Sequence, residues 1–183
     1  MNAFRFLAAM ALSIAVLSAM GYALAMALLP TPVRYFHTSY MEFAIPDRWR
    51  CHREGAEYVC EPRKRPADGF RALMIVGAKL RGPMDAFDAY IEHLKTPRPV
   101  SGADRMSVVE EVETIDIDGR RWVYGAHFES EVPDFRTRYY VSYTDTLAAA
   151  VTFSTHRSVA DRYDDDIATL LGSLKLFDAA RNR

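Results

Sequence analysis

Apolar and polar positions follow two regimes along the chain. Residues 6–33 form a run of 28 positions without Asp, Glu, Lys, Arg or His, and beyond them apolar residues recur at the short periods of strands and helices. In that second regime residues 40–45 alternate as a strand. Pro46-Asp47 turns the chain, and residues 51–60 predict a hairpin on Gly55-Ala56, because Gly at the first central position suits a type II′ turn. Residues 62–69, punctuated by Pro62, Pro66 and Gly69, predict a loop. Residues 72–78 are almost continuously apolar, the pattern of a central strand covered on both faces. A helix is predicted over 83–95, with Pro83 at its start, Asp85 and Asp88 in the early turns, His93 and Lys95 in the last, and Thr96-Pro97 ending it. Met84, Phe87, Ile91 and Leu94 form its core-facing stripe.

Asp118-Gly119 is a strong hairpin signal joining strands at 115–117 and 121–123. It puts Ile115, Ile117, Trp122, Tyr124 and Phe128 on one face. Residues 135–143 and 147–153 form a further strand pair turning near Asp145. A last helix, capped by Ser158, aligns Val159, Tyr163, Ile167, Leu170 and Leu174, and residues 174–177 add a short strand. The order predicts an α+β domain: a mainly antiparallel sheet flanked by two principal helices, an α/β/α sandwich, plus an N-terminal apolar helix. The expected organisation is an anchor or signal over 1–33, a tether over 34–39, a globular domain over 40–178 and a polar tail over 179–183.

The uncharged run exceeds the roughly 7–15 apolar residues of a signal peptide and reaches the roughly 20 that cross a bilayer. Residues 6–29 therefore predict contact with a membrane, and Pro30 and Pro32 end the span. Ala23-Leu24-Ala25 also has the small-x-small pattern of a cleavage site, so an uncleaved anchor and a cleaved signal both remain open. Either exports the rest of the chain. Arg34, Arg48 and Arg50 after the span oppose the usual positive-inside bias, but long domains translocate largely regardless of charge. In the predicted hairpin Cys51 lies opposite Cys60 in a non-hydrogen-bonded pair with Cα atoms about 4.5 Å apart, within reach of a disulfide. A disulfide agrees with an oxidising compartment. The expected location is a bacterial inner membrane with the domain in the periplasm, or the periplasm itself if the N-terminus is removed.

Charge removes one class of partner. Beyond the run, 22 basic residues stand against 24 acidic ones, a formal charge of −2, so nucleic acid is not expected. His37, His52, His93, His127 and His156 are scattered without metal spacing, and no phosphate loop, dinucleotide fingerprint or nucleophile elbow occurs. No cofactor and no metal are expected. Asp161, Asp164, Asp165 and Asp166 lack the pattern of a calcium loop and read as a solvated helix face. Arg63-Lys64-Arg65 between prolines reads as a solvated loop able to touch an anionic headgroup or an acidic partner. Two clusters are candidate sites. Glu129, Glu131, Asp134, Arg136 and Arg138 juxtapose acid and base at the start of a strand, as a partner-binding edge would. His127, Glu129, Ser154 and His156 combine imidazole, carboxylate and hydroxyl at neighbouring strand ends.

Phe43-Ala44-Ile45-Pro46-Asp47-Arg48-Trp49 resembles the F-x-[IV]-P-x-x-W opening of the PsbP-like (PsbP/DcrB-type) domain. Ile117, Asp118, Gly119, Arg121 and Trp122 resemble its central hairpin, and Gly172-Ser173-Leu174 its closing signature. The resemblance covers about residues 40–177. It implies the α+β fold and a habit of binding other proteins, since photosystem lumenal proteins, bacterial envelope lipoproteins and a nuclear transport factor that binds a small GTPase share the fold without sharing an active site. No lipobox follows the apolar run and the cysteine hairpin is an addition, so neither a lipid anchor nor any member's partner carries over. The expected function is an exported, membrane-anchored, non-enzymatic envelope protein that binds or helps assemble other proteins. The alternative is an envelope hydrolase or small-ligand-binding protein using the His127, Glu129, His156 region.

Overall fold

The computed structural model describes residues 15–22, 32–64, 72–100 and 102–177. The chain divides into two compact units, Met1–Pro32 and Val33–Arg183. In the first, residues 15–22 form a helix, α1, with exposed side chains. Among the described residues no helix is long and apolar enough to cross a membrane. Most of the span expected over residues 6–29 lies outside the described residues.

The second unit contains two antiparallel sheets. In the smaller, β2 (Met41–Pro46) lies between β1 (Val33–His37) and β10 (Lys175–Leu176). The segment expected as a tether is therefore a strand, pairing from Val33 with Pro46 to His37 with Glu42. Aromatic packing explains the difference: Phe36 stacks on Phe43 with ring centroids 5.3 Å apart and meets the edge of Tyr58 at the same distance. The larger sheet runs in the spatial order β3 (Trp49–Glu54), β4 (Glu57–Pro62), β5 (Ala72–Leu80), β9 (Leu147–His156), β8 (Phe135–Tyr143), β7 (Arg120–Phe128), β6 (Val108–Ile117).

Both two-residue hairpins form in the expected register. Gly55 has φ 60°, Glu54 faces Glu57, and Cys51 faces Cys60 in a disulfide with Cα atoms 4.0 Å apart. Asp118 and Gly119 both take positive φ, as a type I′ turn requires, and the Gly119 amide donates to Asp116 Oδ1 at 2.9 Å. The helices are shorter than their patterns suggest. α2 spans Phe87–Lys95, four residues later than expected, and Met84 is exposed. The reason is local: Asp85 turns back to accept the Gly82 amide at 2.7 Å, an alternative to the first helical turn. Residues Arg157–Tyr163 are a 3₁₀ turn with the His156 ring accepting from the Ser158 amide, and the α-helix α3 is confined to Asp164–Ser173.

The faces of the large sheet differ. One is packed by the small sheet and α3 around Trp49, Phe43, Met74, Phe153, Trp122 and Leu170, all fully buried. Ser173 of the closing signature joins these layers, accepting the Ala44 amide at 2.9 Å and donating to the Leu170 carbonyl at 3.0 Å. The opposite face carries α2, which rests on β6, β7 and β8 through Leu94, Val123 and Tyr139. Gly125 permits that seat, since a Cβ there would lie 2.7 Å from Leu94 Cδ1.

Candidate functional site

The five residues expected as one partner edge separate. Side chains alternate along β8, so Arg136 and Arg138 share the face of Tyr140 and the main core, whereas Tyr139 faces α2. Arg138 bonds the Ala160 carbonyl at 3.1 Å, pairs with Asp164 at 2.8 Å and lies over the Phe153 ring, while Arg136 pairs with Glu110 of β6 at 2.6 Å. Glu131 stands on the α2 side, accepting Tyr139 Oη at 2.6 Å and Arg98 at 2.9 Å. Glu129 and Asp134 both take positive φ and close the β7–β8 loop. Glu129 accepts the Asp134 amide at 3.1 Å and a two-pronged contact from Arg105 at 2.9 and 2.7 Å. The amide first, and the guanidinium second, hold its carboxyl below its ordinary pKa. This carboxylate shapes a loop.

The second cluster is likewise distributed among different partners. His127, Thr137 and Ser154 form one row across β7, β8 and β9, with Thr137 between the other two. Thr137 and Ser154 hydroxyls bond each other at 2.9 Å, and His127 Nε2 bonds the Leu94 carbonyl at 2.7 Å, fastening α2 to the sheet. Its Nδ1 is buried with no partner among the described residues, and burial pushes the imidazole pKa down. The neutral ring donating from Nε2 fits both facts. His156 bonds Ser158 at 2.8 Å, and its ring meets the edge of Phe135. Among the described residues no group of three or more His, Cys, Asp or Glu side chains is placed to hold a metal ion.

One carboxylate expected in solvent is buried. Asp166, 1% exposed, accepts Arg48 Nε and Nη2 at 2.8 and 2.6 Å and Trp49 Nε1 at 2.7 Å. The Arg48-Trp49 pair of the F-x-[IV]-P-x-x-W segment thus ties the start of the large sheet to α3. The other arginines expected to oppose the positive-inside bias are also matched in the fold, Arg34 by Asp47 and Arg50 by Glu61.

What the α2 face leaves open is a trough. Two adjoining clefts, of about 260 and 320 Å³, run along β5 and β9 beside α2. Gly77, Ala148 and Ala150 line one, and Leu73, Ile75, Thr152 and Ser154 line the other, with Glu131 and Val132 as part of its wall. Gly77 faces Ala150 and Ile75 faces Thr152 in register, so the two linings form one surface about 20 Å long. Among the described residues the apolar run at 72–78 is therefore covered on one side only. Its Ala72, Met74 and Val76 are fully buried, whereas Leu73 and Ile75 are half-buried in the trough. Sequence reasoning found Glu131 and Ser154 but missed the apolar lining, and the available signal was the Gly and Ala at positions 77, 148 and 150.

No protein-family model matches the chain, and no curated protein matches it by sequence. Solved structures do. Cyanobacterial PsbP (CyanoP) from Synechocystis is similar with a TM-score of 0.55 at 12% identity, covering 82% of this chain and 95% of that one. The Ran-binding protein Mog1p of Saccharomyces cerevisiae gives 0.52 at 9% identity over 82% and 98%. A Bacteroides thetaiotaomicron protein gives 0.53 at 10% identity over 82% of this chain, which spans half of its length. With these similarities and the architecture above, the domain has a PsbP-like fold.

Proposed function

We propose that this chain is an exported, non-enzymatic envelope protein, held at the membrane by its N-terminal segment or released to the periplasm, whose PsbP-like domain binds another protein in the trough beside α2. The observation that carries this reading is the half-covered sheet face. α2 occupies the width of β6, β7 and β8, and the next helix-width, over β9, β5 and β4, carries an apolar floor without a helix on it among the described residues. Three strands at about 4.8 Å spacing match the roughly 10 Å diameter of a helix. The small side chains of Ala148 and Ala150 let a backbone approach closely, while the Glu57 side chain lies over Gly77. An amphipathic helix of a partner, laid alongside α2, would complete the layer. Glu57 at the rim has no cationic partner among the described residues, so the helix that fits carries basic residues on its flank. Mog1p is a Ran-binding protein, an instance of this fold in a protein-binding role.

The test places a photo-crosslinking residue at Ala150 in the full chain, expressed in envelope-bearing cells, with a second probe at Lys175 as control. One discrete adduct from position 150 that Ile75→Asp abolishes, and that position 175 does not give, supports the reading. A crosslink from position 150 back to the same chain, or none, overturns it. N-terminal sequencing and protease protection of the same sample test export and anchoring separately.

A further inference from the structure

A separate cleft, of about 470 Å³, opens between the β2–β3 turn, the end of β4 and the 3₁₀ turn, and shares no residue with the trough. Four cations line it: Arg48, Arg63, Lys64 and Arg162. Two are held in place by the fold. Buried Asp166 grips Arg48 through Nε and Nη2, and Arg63 donates Nε to the Trp49 carbonyl and Nη2 to Asp47, both at 3.3 Å. A guanidinium carries five N–H donors, so each keeps several for a ligand. Lys64 and Arg162 have no carboxylate partner among the described residues. Among the described residues Asp47 is the single carboxylate in the lining, and it is already shared by Arg34 at 2.6 Å and Arg63 at 3.3 Å. Positive charge is therefore in excess, on a floor that includes the Tyr163 ring.

Fixed guanidinium forks match phosphate oxygens in two-pronged fashion, whereas a flexible ammonium supplies a point charge. The volume exceeds what a bare phosphate needs and lies in the range of small-molecule sites. We propose that this cleft binds a phosphate ester, with Arg48 and Arg63 as preset forks and Lys64 and Arg162 as the charges that close on it. Two sources supply that chemistry: the headgroup of an anionic lipid, and a soluble polyol phosphate. The proposal stands independently of the trough and of any partner protein.

Lys64 is the reporter. The full chain in maltoside micelles, which contain no phosphate, is treated with an amine-reactive reagent, and labelling of Lys64 is read by mass spectrometry against Lys175, which lies outside the cleft. Glycerol phosphate at constant ionic strength is expected to protect Lys64 in a saturable way and leave Lys175 unchanged. Arg162→Glu should shift that protection to about tenfold higher ligand, the scale of one lost charge-assisted contact. In nanodiscs of phosphatidylglycerol without soluble ester, protection identifies the lipid headgroup as the source, and its absence there assigns the soluble ester. The proposal is overturned if neither protects, if chloride at matched ionic strength protects equally, if Arg162→Glu changes nothing, or if only poly-glutamate protects, which would make the cleft a docking site for an acidic protein segment.

Discussion

The two faces of the large sheet are built from the same strands and serve different ends. Under the small sheet and α3 the buried side chains form one cluster, and the buried carboxylate of Asp166 has three hydrogen bonds to Arg48 and Trp49. Under α2, packing stops after three strands, and small or half-buried residues continue across the rest. A filled face holds the fold together, because each buried apolar group contributes only while it displaces water. The open face leaves similar surface for something else to cover.

This contrast is sharpest in mutations that should differ most. Asp166→Ala removes the acceptor of the buried Trp49 Nε1 and releases Arg48, and is expected to cost about 2–4 kcal/mol in chemical denaturation. A loss as small as that of a surface substitution would break the assignment of stability to this face. Reducing the Cys51–Cys60 disulfide, or replacing both residues by Ser, acts on an edge hairpin and should cost about 2–3 kcal/mol from loop-closure entropy, measured as the difference between oxidised and reduced unfolding midpoints.

A smaller effect separates the fastening of α2 from the main core. The His127 pKa is pushed down by burial, so the unfolded chain takes up a proton that the folded chain refuses. Its contribution is complete above the ordinary histidine value of about 6.5 and is lost as pH falls from there through the folded-state value. Glu129, held below its ordinary pKa, adds a further loss in the more acidic carboxylate range. The unfolding midpoint should therefore fall on acidification from about pH 7 toward about pH 5, and His127→Gln should flatten that slope. An unchanged slope would dissociate the imidazole from stability. Smallest of all is Ala150→Glu on the exposed trough floor, expected to shift stability by less than about 0.5 kcal/mol while abolishing the adduct formed by a probe placed instead at Thr152 of the same floor. A large destabilisation would mean that the trough is part of the packed core.

How far these features were legible depended on the range of the forces that set them. Gly55, Asp118 and Gly119 announce their turns because positive φ is a local demand, and the register of both hairpins follows from loop length. The starts of α2 and α3 lie later than the apolar pattern predicts because side-chain contacts compete with the helical turn: Asp85 takes the Gly82 amide, and Arg138 reaches the Ala160 carbonyl from β8. The first candidate cluster is contiguous in sequence, and the second joins the ends of neighbouring strands. On β8, however, one step along the chain reverses the face, so Arg136 and Arg138 lie away from Glu131, and Thr137 stands between His127 and Ser154.

By itself the sequence determined the α+β class, the antiparallel pairing, the opposed cysteines and the long uncharged start, since each rests on composition, periodicity or turn chemistry within a few residues. Tertiary structure alone decided that Asp166 would be buried, that residues 33–37 would become a strand, and that the apolar run of β5 would be covered on one side. Those outcomes depend on which surfaces meet across the domain. Burial is a property of the neighbour that arrives, and here one helix-width of the sheet has none among the described residues.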